Sequence, residues 1–207
     1  SLAKQVTSNA QEQYVLALML NGDYPRAEAY VQAHQLNQSN LLFTVKLQQL
    51  SQKILNAVQF YQSSSYRNEG EKAFYPLDAV LAEMKALSAE LPEQADLQRR
   101  FYYEYIDALN QRNRSKEVLL VAQQLNMNPQ EMPAYVRHAI ADAYLKLQQP
   151  AKAEPLYLSL FKEKNSVDYS VYAGLYYAYI EQEKFKQANQ LIQVMDKTLP
   201  TFRYSDA

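Results

Sequence analysis

MPAYVRHAIADAYLKLQQPAKAEPLYLSLF (residues 132–161) and GLYYAYIEQEKFKQANQLIQVMDKTLP (residues 174–200) decide the fold. In the first stretch Ile140, Ala141 and Tyr144 are followed by Ala153 and Tyr157. In the second, Leu175, Tyr179, Ala188 and Ile192 take the matching offsets, and Pro200 follows at the unit's end. Tyr144 and Tyr179 lie 35 residues apart, as do Ala153 and Ala188, so two distinct packing positions recur in step. A period of that length marks an array of helix pairs, each unit burying its apolar stripe against the next. Stepping the same interval towards the N-terminus reaches Leu109 and Val118, which gives three consecutive units beginning at Arg99, Ala134 and Tyr169. Small residues at 153 and 188 are what two closely crossing helices require.

These offsets are those of a tetratricopeptide (TPR) unit. Near the start, Leu18 and Ala27 flank Asn21-Gly22-Asp23-Tyr24-Pro25, where glycine can turn left-handed and proline suits a first helical turn, and this predicts a further helix pair. The pattern predicts helices near 3–20, 25–37, 41–62, 72–91, 94–111, 115–126, 132–148, 150–163, 168–182 and 184–198. The expected fold is therefore all-α, a TPR-like helical-repeat solenoid of about five antiparallel helix pairs. It is read as one domain over 1–207, with irregular repeats in 1–92 and three regular ones in 93–207. Ser63 to Gly70 lacks apolar periodicity and is expected to be a mobile loop or frayed helix end.

Composition agrees with helices and narrows the partners. Only three glycines are present (Gly22, Gly70, Gly174), too few for hairpins. A net charge of -1 offers no basic face for phosphates, so nucleic acid is an unexpected partner. Without cysteine there is neither disulfide nor thiolate metal site. The longest apolar run, Val15 to Leu20, is far short of the roughly 20 residues a membrane helix needs, and no signal segment opens the chain. Beginning at Ser1 without methionine, the chain reads as a processed product or a piece of a longer protein.

No phosphate loop, metal-binding helix motif or cysteine nucleophile is present, and the expectation is a binding module with no enzymatic activity, cofactor or metal. His34 and His138 fall in different units and make a poor metal pair. Tyrosine is the unusual component, with 18 Tyr and no Trp. Packing accounts for Tyr105, Tyr144, Tyr157 and Tyr179, which follow the repeat. TPR arrays use other positions of each unit's first helix to line a concave groove. Counted from the three unit starts, these are Arg100, Tyr103, Asp107, Asn110, Tyr135, His138, Asp142, Lys146, Tyr177 and Glu181. Rings beside carboxylates suit stacking on sugars and attraction of weakly cationic groups. The same face could instead be a solvated helix surface. It has no ladder of Lys, Arg and Asn to clamp a terminal carboxylate, so a C-terminal peptide clamp is disfavoured.

Beyond the repeat itself, RRFYYEYIDALNQRNRSKEVLLVAQQL from Arg99 and the two stretches quoted above resemble a particular family. They are similar to the periplasmic TPR region of the bacterial poly-β-1,6-N-acetyl-D-glucosamine export porins (PgaA-type outer-membrane proteins). Pro133-Ala134-Tyr135-Val136, Ala141-Asp142-Ala143-Tyr144-Leu145, Gln149-Pro150 with Ala153-Glu154-Pro155-Leu156-Tyr157, and the run from Leu175 to Glu181 carry the likeness. It spans about half the chain, and residues before about Pro92 resemble the family only loosely. The resemblance implies a soluble periplasmic segment that precedes an outer-membrane β-barrel and serves biofilm exopolysaccharide export. No strand pattern of such a barrel follows Pro200. Implied partners are the partly de-N-acetylated, hence cationic, polysaccharide and the periplasmic de-N-acetylase that makes it. The alternative is a generic protein-scaffolding TPR domain.

Overall fold

The computed structural model describes residues 2–36, 38–63, 67–163 and 167–198. Among them are ten α-helices and no strand: α1 Leu2–Leu20, α2 Tyr24–His34, α3 Gln38–Gln62, α4 Tyr75–Leu87, α5 Ala95–Gln111, α6 Ser115–Gln124, α7 Ala134–Lys146, α8 Pro150–Leu160, α9 Tyr169–Glu181 and α10 Phe185–Thr198. No helix among the described residues is long and apolar enough to cross a membrane.

The repeat is written into the backbone as well as the side chains. Three-residue turns at 21–23, 112–114, 147–149 and 182–184 join α1 to α2, α5 to α6, α7 to α8 and α9 to α10. At the centre of each sits a left-handed residue: Gly22 (φ 73), Asn113 (φ 62), Gln148 (φ 57) and Glu183 (φ 57). The next residue's N–H reaches back to the helix, Asp23 to Leu18 O, Arg114 to Leu109 O, Gln149 to Tyr144 O and Lys184 to Tyr179 O, each at 2.9 Å. This six-to-one closure satisfies helix-end carbonyls and reverses the chain, so paired helices run back along each other. Leu109, Tyr144 and Tyr179 are the residues whose 35-residue spacing reveals the repeat in the sequence, and Leu18 is the residue that flanks the first turn. The small partners are packed as expected, with Ala27, Val118, Ala153 and Ala188 all buried.

Contacts group the chain into two compact units, Ser1–Ala108 and Leu109–Ala207, with the boundary inside α5. In the first, Val15, Leu18, Ala27, Val31, Leu36 and Val45 form a buried cluster across α1, α2 and α3. The Phe43 and Phe101 rings meet at 5.9 Å. Asp23 caps α2 by accepting from Arg26 N, and Pro25 sits in its first turn. In the second unit α7 packs on α6 and α8, and α9 lies against both α7 and α8.

Helix ends differ from the sequence expectation where local chemistry stops the chain sooner. α2 ends at His34 because Gln35 turns left-handed (φ 50). α4 starts at Tyr75, with Pro76 in the first turn where a missing N–H costs least, and it gives way at Ser88–Glu90 to a 3₁₀ turn. Of the loop expected over Ser63 to Gly70, Ser64–Tyr66 lie outside the described residues. Arg67–Phe74 instead forms 3₁₀ turns broken at Gly70 (φ 58, ψ -131).

Candidate binding face of the second unit

α7 presents Tyr135, His138, Asp142 and Lys146 at spacings of three and four, hence along one face. Asp142 is the hub. Its Oδ1 accepts a 2.5 Å hydrogen bond from the Tyr157 hydroxyl on α8, and its Oδ2 accepts from Asn110 Nδ2 at 3.3 Å. His138 Nε2 lies 3.5 Å from the same Oδ1 and 3.4 Å from Ser170 Oγ on α9. Ser170 in turn donates to Asp168 Oδ1 at 2.6 Å, an oxygen that also caps α9 by accepting from Val171 N. A polar chain thus runs from the end of α5 through α7 to the start of α9.

Tyr157 and Asp168, both in this polar network, titrate away from their ordinary range. Burial pushes the Tyr157 phenol far up, and the Asp142 charge and hydrogen bond push the same way, so it stays a neutral donor. For Asp168, burial acts upwards, but hydrogen bonds from Ser170 and Val171 with nearby His138 outweigh it and hold the carboxyl below its usual range.

Tyr157 reaches Asp142 only because Gly174 lets it. A methyl group on Gly174 would stand 2.3–2.5 Å from the tip of the Tyr157 ring. Residue 174 is thus glycine for lack of space, in a helix where alanine would otherwise be preferred. Behind this, Arg137 is buried and donates to Ser159 Oγ at 3.0 Å and to Glu163. Sequence reading missed both. A glycine inside α9 and an arginine in an apolar run were the available signals.

The sequence-derived residues divide between the two units. Asn110, His138 and Asp142 come together in the polar chain. Lys146 donates to Asn113 Oδ1 at 2.7 Å, and Glu181 accepts from Gln148 at 3.4 Å. Tyr135 and Tyr177 expose their rings, Tyr177 at 57%. Tyr177 and Glu181 lie one turn apart on α9, on a common face. Arg100, Tyr103 and Asp107 belong to the first unit, where Arg100 donates to Gln48. Tyr103 and Asp107 are half-buried. His34 stacks on Tyr30 at 4.0 Å in α2. No three His, Asp or Glu side chains gather as metal ligands among the described residues.

The decisive likeness is to poly-β-1,6-N-acetyl-D-glucosamine export proteins of Escherichia coli strains K12 and O157:H7. Each is 29% identical over 143 residues. The chain is similar to part of that export protein. The match covers 66% of this chain but 18% of each relative, so the chain spans under a fifth of the relatives' length. No protein-family model matches. Among solved structures, TPR-like repeats of a putative kinesin light chain from Podosopora anserina align with TM-score 0.49 and 14% identity over 91% of this chain and 92% of that one.

Proposed function

We propose that this chain is a non-catalytic TPR-type module of an exopolysaccharide export system at the periplasmic face of the outer membrane. In this reading it holds partly de-N-acetylated poly-N-acetylglucosamine on its way to the pore. The enzyme that uncovers the polymer's amines is its second proposed partner. The similarity to the export proteins motivates the class of ligand. The observation that carries the site is the exposed Tyr177 ring one turn from the exposed Glu181 carboxylate. Sugar rings stack their apolar faces on aromatics, and a glucosamine ammonium meets a carboxylate.

Asp142 takes a different part from the one its position suggests. Its two oxygens are engaged by Tyr157 and Asn110, so it shapes the face and lends charge more than it offers a free ligand group. The informative variants are therefore Tyr177→Ala and Glu181→Gln. Single exposed contacts contribute about 0.2–1 kcal/mol, so each should weaken binding of a partly de-N-acetylated oligomer by a factor of about 1.4 to 5 in calorimetric titration. Unchanged affinity in the double variant would move the glycan site off this face and favour the protein-scaffold reading.

A further inference from the structure

Two crevices of the second unit occupy the same place in successive repeats. One, of about 410 Å³, has Gln123, Asn126, Ile140 and Tyr144 in its lining. The other, of about 350 Å³, has Leu158, Phe161, Leu175 and Tyr179 at the positions 35 residues on, with Leu191 and Val194 added by α10. The earlier crevice stays open although α9 and α10 stack beyond it, so a following repeat does not fill a crevice of this kind. Leu175 and Tyr179 flank Tyr177, which the helix turns about 200° from each, so the later crevice lies away from the proposed glycan face.

The two crevices differ in chemistry. Gln123 and Asn126 are exposed and polar, as a solvent-facing helix surface ordinarily is. Their counterparts are apolar. Phe161 has a reason within the fold, since its ring meets Tyr172 edge-on at 5.0 Å. Leu158 on α8 and Val194 on α10 nevertheless remain 40% and 46% exposed. Repeat packing does not demand leucine at 158, because glutamine serves at 123.

Charge marks one end of the later crevice. Lys162 and Lys197 hold the same position in the two repeats, 35 residues apart, at the C-terminal ends of α8 and α10. Both are exposed, and neither pairs with a carboxylate among the described residues. Glu163 and Glu154 are engaged by Arg137 and Lys184. Asp196 is turned about 200° around α10 from Val194, and Glu183 stands in the turn at the other end of that helix. We propose that this crevice docks an acidic amphipathic segment of a partner protein. Its apolar side chains enter between α8 and α10, and its carboxylates meet Lys162 and Lys197. This surface is independent of the glycan reading.

The test is a selection of phage-displayed random peptides, each about 16 residues or some four helical turns long, on the 207-residue protein. Enriched peptides should combine leucine or phenylalanine three or four residues apart with aspartate or glutamate. Leu158→Gln with Val194→Ser gives the crevice the residues found 35 positions earlier. Fluorescence anisotropy should show that this pair weakens the selected peptides at least about tenfold while circular dichroism and melting stay unchanged. Lys162→Glu with Lys197→Glu, which leaves the apolar walls intact, should also weaken them, and more at low salt than at high. Tyr177→Ala with Glu181→Gln should leave peptide binding unchanged. The proposal is overturned if no enriched peptide depends on Leu158 and Val194, or if the peptides that do are basic. It is also overturned if the protein self-associates in sedimentation and the Leu158→Gln, Val194→Ser pair makes it monomeric, since a second copy is then the occupant.

Discussion

At the residue scale the second unit turns on a contact between a tyrosine and a glycine. The Tyr157 ring fills the space a side chain at 174 would need, and its hydroxyl is held by Asp142 on a third helix. Gly174→Ala gains about 1 kcal/mol of helix propensity yet must displace a buried, hydrogen-bonded ring. A net loss of about 1–3 kcal/mol in chemical denaturation is expected. Tyr157→Phe removes a hydrogen bond to a charged acceptor and should cost about 1.5–3 kcal/mol. It should also change the alkaline limb. The folded phenol titrates above its unfolded value of about 10, so unfolding releases a proton beyond that pH and stability falls as pH rises. The Phe variant should show a shallower decline there. Asp168 acts at the other end of the scale. Its folded carboxyl titrates below the unfolded value of about 4, so its stabilisation is present above that pH and is lost as pH falls through the folded value. Asp168→Asn should therefore flatten part of the acid limb of a melting-temperature profile. None of these contacts was legible in advance, because the 35-residue period says which positions are buried but not which atoms meet across three helices.

At the element scale the sequence was far more legible. Ten helices were expected and ten are described, because four of the pairs are bounded by local signals, an apolar stripe and then a three-residue turn. What misled at α2 and α4 was also local, since a left-handed Gln35 has no glycine to advertise it and Pro76 starts a helix that periodicity alone extends earlier. The packing register makes a direct demand. Ala153 is fully buried between α8 and its neighbours, so Ala153→Trp should overpack and cost about 1–3 kcal/mol or more in thermal or chemical denaturation. Unchanged melting would place the small-residue row elsewhere. The turns offer the opposite test. Glu183 is exposed and left-handed, a conformation that strains an L-residue, so Glu183→Gly should be neutral or stabilising by up to about 1 kcal/mol.

At the scale of the whole molecule, the period reveals the repeat class, and the likeness to export proteins motivates the ligand class proposed above. Neither says how a polymer is held. The candidate residues were legible as helix-face positions, but Asp142 shows why that is incomplete: a groove position can be committed to holding its own fold. In the proposed function, exposed rings and carboxylates such as Tyr177 and Glu181 would bind individual sugars weakly, and affinity for a chain would come from repetition, each contact raising the effective concentration at the next. Longer oligomers should therefore bind more tightly than short ones. The most direct measurement is a calorimetric titration with partly de-N-acetylated and fully acetylated poly-N-acetylglucosamine oligomers of equal length, at low and high salt. The account predicts tighter binding of the de-N-acetylated chain, with an advantage that shrinks as salt screens exposed charges. Equal affinity for the two oligomers at both salt concentrations, or no binding of either, would contradict it.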